Sequence, residues 1–167
     1  LQELEKRRND GEKNFLVVLP TGTGKTEILI ADLLGQYKKD NSLKVLILVP
    51  TKQLKIDTIK KVNNRFENEL HVKVFIGEEK NSQILIQTYS WMSRYYQNFN
   101  SLDFDYIAVD EAHHAVAPTL QKVIQYFNPQ MLLGLTATDK RMDEKSLAEI
   151  FGKYESRRIA SGNTNHL

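Results

Sequence analysis

The chain has 167 residues, 41% hydrophobic and 26% charged, which fits one domain with a sizeable core and excludes a disordered or fibrous chain. Lys and Arg number 23 against 21 Asp and Glu, so the net charge of +2 neither demands nor excludes nucleic acid, and any basic surface must be local. The absence of cysteine excludes disulfides and thiolate metal sites; with no apolar run of membrane-span length, and residues 1–10 too charged for a signal peptide, the expected compartment is the cytoplasm.

Strand and helix patterns alternate along the chain. Residues 15–19 are a short, β-branched apolar run, read as a buried strand. The string Thr21-Gly22-Thr23-Gly24-Lys25-Thr26 follows it. Residues 25–37 carry Ile28, Leu29, Leu33 and Leu34 at helical spacing. Residues 44–49 are a second buried strand, stopped by Pro50, and residues 51–67 a helix with Leu54, Ile59, Val62 and Phe66 inward. Residues 72–76 and 84–87 read as strands and residues 89–97 as a helix. Residues 106–109 are a strand ending at Asp110-Glu111-Ala112-His113, and residues 114–127 a helix in which Pro118 suits an early turn or a break. Residues 131–136 are a further strand and residues 145–151 a helix. Strands alternating with crossover helices predict an α/β fold, a mostly parallel central sheet with helices on both faces.

Two strings carry chemistry. Between a strand and a helix, Gly22 and Gly24 allow a tight turn that brings backbone N–H groups to a phosphate without a Cβ in the way. The helix that begins near Lys25 points its positive dipole end at the same place. Thr21, Gly22, Thr23, Gly24, Lys25 and Thr26 are therefore the expected nucleotide-binding residues, with Lys25 reaching the β- and γ-phosphates and the Thr26 hydroxyl a ligand of Mg²⁺. The full consensus has a glycine five places before Gly24, where this chain has Leu19. In the second string, Asp110 stands at a strand C-terminus, where open α/β sheets bind ligands. Its carboxylate suits Mg²⁺, and Glu111 suits orientation and deprotonation of an attacking water. Lys25, Asp110 and Glu111 form the catalytic candidate set for ATP hydrolysis. With no cysteine and only four histidines a zinc site is disfavoured. His113 is expected to hydrogen-bond near the nucleotide, and His114 to be structural.

Loop and acidic pair together resemble the DExH branch of superfamily 2 helicases, and other strings fit in order. Pro50-Thr51-Lys52-Gln53-Leu54 resembles motif Ia, and Gln87-Thr88-Tyr89 resembles the later first-lobe segment that touches the nucleic-acid backbone. Thr136-Ala137-Thr138 resembles motif III, with Asp139 in place of the usual proline. Leu133-Gly134-Leu135-Thr136-Ala137-Thr138, with Arg141-Met142-Asp143 behind it, is most similar to the motor subunits of type I and type III restriction enzymes and related repair helicases. The resemblance spans about residues 15–143.

It implies a RecA-like P-loop NTPase lobe, ATP with Mg²⁺, and DNA as partner, although the pattern does not discriminate DNA from RNA. It also implies that the 131–136 strand lies between the loop strand and the acidic strand, which sets Thr136 and Thr138 beside Glu111 as coupling residues. Family members have two such lobes; this chain reads as a single domain, residues 1–167, excised from a longer motor. The second lobe with its arginine finger lies elsewhere, the adenine-reading glutamine is expected upstream of Gln2, and a nuclease or other subunits are conceivable partners. No membrane partner is expected.

Thr51, Lys52 and Thr88 are the expected nucleic-acid contacts, made to phosphates and so independent of sequence. Lys55, Lys60, Lys61 and Arg65 read as a solvated helix face. Trp91, Tyr95, Tyr96 and Phe99 read as core rather than as a stacking platform. The rival reading is a P-loop ATPase acting as a switch or protein-remodelling motor without nucleic acid. The motif Ia and motif III strings argue against it.

Overall fold

The computed structural model describes residues 2–20, 24–137 and 144–151. In chain order the elements are α1 (Gln2–Asn9), β1 (Asn14–Leu19), α2 (Lys25–Lys39), β2 (Val45–Val49), α3 (Lys52–Glu69), β3 (Ile76–Gly77), β4 (Ile84–Thr88), α4 (Tyr89–Tyr95), β5 (Tyr106–Asp110), α5 (Pro118–Tyr126), β6 (Met131–Ala137) and α6 (Glu144–Phe151). Short 3-10 turns follow α4 (Tyr96–Asn98) and β5 (Ala112–Val116). The six strands form one sheet in the order β1-β6-β5-β2-β4-β3, every pairing parallel. The expected α/β architecture is therefore present, and β6 lies between β1 and β5.

The strands are unbroken apolar runs because both faces are covered, and alternate residues point to opposite faces. Phe15, Val17 and Leu19 of β1 meet one core with Leu4 of α1 and Leu29, Ile30 and Leu33 of α2. Leu16 and Val18 meet the other, with Met92 of α4, Val123 of α5 and Phe151 of α6. Each such side chain, fully buried, stabilises the fold by about 1.5–3 kcal/mol. Gly134 of β6 has a packing role: a Cβ there would lie 2.9 Å from the Phe151 ring and 3.0 Å from the Ala112 Cβ. Its bare backbone lets α6 and the turn after β5 settle on β6. No helix among the described residues is long and apolar enough to cross a membrane.

One local expectation is overturned, one break falls where Pro118 allowed it, and one helix is new. The 72–76 strand shrinks to Ile76–Gly77, the only residues there that pair with β4. This is the sheet edge, and Val72 and Phe75 stay exposed. The 114–127 helix is broken in two: Ala117 is extended, as a residue before proline prefers, and Pro118 opens α5 as its first residue. Helix α1 was not foreseen.

A polar network under the sheet holds α1. The Arg8 guanidinium donates to both oxygens of the buried Asp32 carboxylate at 2.6 Å each, and the Tyr106 hydroxyl donates to Asp32 Oδ2 at 2.5 Å. Arg8 also lies over the Phe15 and Tyr106 rings. Gln36 donates to Glu5 at 2.6 Å, and Lys39 pairs with the same carboxylate. Burial is the largest single effect on Arg8 and works against its charge, but the Asp32 hydrogen bonds together with the charges of Asp32, Tyr106 and Glu5 raise the guanidinium pKa. Asp32→Ala strands the buried cation, and urea unfolding should show a loss of about 3–5 kcal/mol, the cost of breaking one side of a buried pair. A loss below about 1 kcal/mol, the range of an exposed pair, would show that the network does not anchor α1.

Candidate active site

All strands run the same way, so their C-terminal ends share one rim of the sheet. β1 ends there at Leu19, β5 at Asp110, β6 at Ala137, β2 at Val49 and β4 at Thr88. Gly24 caps α2 in the left-handed conformation (φ 74°) and accepts hydrogen bonds from the backbone N–H groups of Glu27 and Ile28. It thereby starts the helix whose first residue is Lys25. Thr26, in the same first turn, is half-buried. Thr21, Gly22, Thr23 and Thr138 lie outside the described residues.

The centre of the site is an ionic triad. The Lys25 ammonium donates to Asp110 Oδ1 at 2.9 Å and to Glu111 Oε1. Burial opposes the ammonium charge, yet the Glu111 hydrogen bond and the Asp110 charge outweigh it, and the pKa of Lys25 rises above the ordinary lysine value. Asp110 Oδ1 also accepts the Glu111 backbone N–H at 2.9 Å. Glu111 has φ 54°, alone among the described non-glycine residues in the left-handed region. That conformation is strained for glutamate and needs surroundings that hold it.

Two carboxylates against one ammonium leave the triad with an excess of negative charge. Hard oxygen donors of this kind suit Mg²⁺, and the site fits such an ion best once Lys25 turns to a phosphate. Asp110 and Thr26 are the residues that would hold it.

His113 bridges to β6: its Nδ1 lies 2.9 Å from the hydroxyl of the buried Thr136. Its Nε2 is 3.8 Å from Glu111 Oε2. The expected neighbourhood of Thr136 and Glu111 is thus present. His114 is exposed, and its ring lies 4.1 Å from that of His113 and 6.1 Å from that of Tyr89. Glu111, His113 and His114 bring ligand atoms within 4.8 Å of one another. While Lys25 holds Glu111, a dication there would face the ammonium charge.

The expected nucleic-acid residues share the rim. Val49 and Thr88 are register partners, so Thr51 and Thr88 follow adjacent strand ends. Each threonine caps a helix: Thr51 Oγ1 accepts from Leu54 N and Thr88 Oγ1 from Trp91 N, both at 3.1 Å. Thr51 is exposed, whereas Thr88 is buried. Lys52 is exposed at the start of α3. Lys60 and Lys61 are exposed as expected, but Lys55 pairs with Glu78 at 3.5 Å, and Arg65 ties α3 to Glu27 of α2 at 2.5 Å. Phe99 is core, Trp91 and Tyr96 pack at its edge, and Tyr95 is exposed.

One site residue escaped sequence reasoning. The Tyr89 hydroxyl donates to the Asp110 backbone carbonyl and lies 3.3 Å from that of Glu111. Burial, then the charges of Asp110 and Glu111, push its phenol well above the ordinary tyrosine range, so it remains a donor. The only signal was an aromatic residue directly after a threonine cap; its partners are carbonyls, which have no sequence identity.

Residues 1–141 match the family described as "Type III restriction enzyme, res subunit". The chain is 27% identical over 157 residues to "Putative ATP-dependent helicase IRC3" of Saccharomyces cerevisiae, covering 86% of this chain and 23% of that one. It is 32% identical over 164 residues to "DNA 3'-5' translocase XPB2" of Sulfurisphaera tokodaii, covering 86% of this chain and 34% of that one. The helicase domain of Pyrococcus furiosus Hef superposes with a TM-score of 0.64 at 27% identity, over 84% of this chain and 33% of that one. The chain therefore spans about a quarter to a third of these relatives. It belongs to the family of the type III restriction enzyme res subunit, with the N-terminal RecA-like lobe of a superfamily 2 helicase.

Proposed function

We propose that this chain is the ATP-binding lobe of a DNA helicase or translocase that hydrolyses ATP to ADP and phosphate. The observation that carries the reading is the Lys25 ammonium held between Asp110 and Glu111 where β1 and β5 end. Lys25 is within reach of both acids, so a phosphate at the helix N-terminus competes with them for one cation. When the triphosphate wins, Lys25 takes the β- and γ-phosphate oxygens and Glu111 is released. The Glu111 carboxylate then accepts a proton from the attacking water as the γ-phosphoryl group leaves. Asp110 and Thr26 are the residues that would hold Mg²⁺, which would supply positive charge to offset that of the phosphates.

Names of relatives support DNA as the partner and ATP as the fuel. Thr51, Lys52 and Thr88 are proposed to hold a strand by its phosphates. Thr136 and Thr138 are proposed to transmit the state of the ATP site, Thr136 through its hydrogen bond to His113. Relatives about two and a half to four times as long support a second lobe in the same full-length protein.

Two measurements test this. In the full-length protein, Glu111→Gln keeps the shape but cannot take a proton. Nucleotide binding should survive while turnover falls by about 10²–10⁴-fold; unchanged turnover would remove Glu111 from the mechanism. The 167-residue chain alone lacks the partner lobe's arginine, a group that contributes about 10³–10⁵ in rate. Steady-state ATPase of the isolated chain should be very slow with or without DNA, and weak DNA binding should fall further as salt rises. Turnover of about 1 s⁻¹ that climbs with DNA, a rate typical of a complete phosphoryl-transfer enzyme, would contradict the need for a second lobe.

A further inference from the structure

β4 and β5 are not neighbours; β2 lies between them. No strand pairing therefore links the start of α4, where Thr88 meets the rim, to the end of β5, where Glu111 sits. A side chain makes that link. Tyr89 is the first residue of α4, directly after the Thr88 cap. Its hydroxyl crosses the end of β2 to the carbonyls of Asp110 and Glu111, which flank the strained Glu111 backbone.

Several contacts among the described residues hold that backbone. The Asp110 carboxylate accepts the Glu111 N–H, and the His114 N–H donates to the Glu111 carbonyl at 3.0 Å. Ala112 is wedged beside Gly134 and Phe151. Tyr89 supplies another, from the side of the sheet where Thr88 lies. The others come from the acidic turn itself or from β6 and α6, and the Tyr89 ring also lies against that of His114.

On the proposed reading of Thr88 as a nucleic-acid contact, we infer that Tyr89 is a positioning residue that transmits strand binding at the Thr88 side chain to the Glu111 carboxylate. A phosphate drawn to Thr88 moves the start of α4 and with it the Tyr89 ring. The hydroxyl then shifts the Asp110–Glu111 peptide, and the Glu111 carboxylate passes from its pairing with Lys25 toward the attacking water. Two arrangements of one backbone segment are thereby biased from both the ATP side and the DNA side, as coupling between sites requires. This route is separate from the one through His113 and Thr136, which reaches Glu111 from β6.

The test uses the full-length protein and Tyr89→Phe, which keeps the ring and removes the hydroxyl. Turnover is measured with and without saturating single-stranded DNA, alongside KM for ATP and Kd for the DNA. The stimulated rate should fall by about tenfold more than the basal rate, the effect of one hydrogen bond, with KM and Kd unchanged. If both rates fall in equal proportion, Tyr89 only props up the site and the inference is overturned; an unchanged ratio at unchanged rates overturns it equally. A parent enzyme that DNA does not stimulate removes the functional reading itself, and the inference with it. Hydrogen exchange at the Ala112–Val116 amides of the parent decides the case if the variant does not fold. Added DNA without nucleotide should change their protection, and no change overturns the inference.

Discussion

The Lys25 ammonium between Asp110 and Glu111 is the interaction on which the rest of the structure depends. It joins residues 86 apart in sequence, and it forms only because β6 sits between β1 and β5 with all three strands parallel. Inserting β6 there demands a strand with room on one face for the turn after β5. Gly134 provides it, and Ala112 and Phe151 fill the space. The same strand carries Thr136 to His113. A single register therefore sets the cation, the two acids and the histidine relative to one another.

The triad also stores the electrostatic logic of the site. Its net negative charge is tolerable at a half-buried rim because Lys25 is shared and the Glu111 N–H offsets part of the Asp110 charge. A polyphosphate that takes Lys25 away leaves two acids facing a place suited to a dication. On the proposed function, nucleotide and metal would support each other as ligands, and Glu111 would be the group freed by the exchange.

Much of this was legible in the sequence because its signals are local strings. The glycine-rich loop, the acids after an apolar run and the threonines after two strands each announce themselves within a few residues. The placement of β6 came from the family resemblance, not from periodicity, since a parallel sheet buries every strand alike. Helix α1 was invisible for a physical reason: Leu4 is its only apolar residue, and it is held by Arg8 and Glu5 through polar contacts that leave no apolar stripe. The 72–76 run was misread because apolar residues at a sheet edge stay exposed when only Ile76 of them finds a partner strand. Tyr89 was missed because it recognises backbone.

The central claim is that one cation is exchanged between two acids and a nucleotide phosphate. The most direct measurement is isothermal titration calorimetry of ATP into the isolated chain, with and without Mg²⁺, for the parent and for Lys25→Ala. The account predicts one saturable site in the parent, tighter with Mg²⁺, and no saturable binding in the variant. Equal ATP affinity for the two chains, or binding indifferent to Mg²⁺, would contradict it.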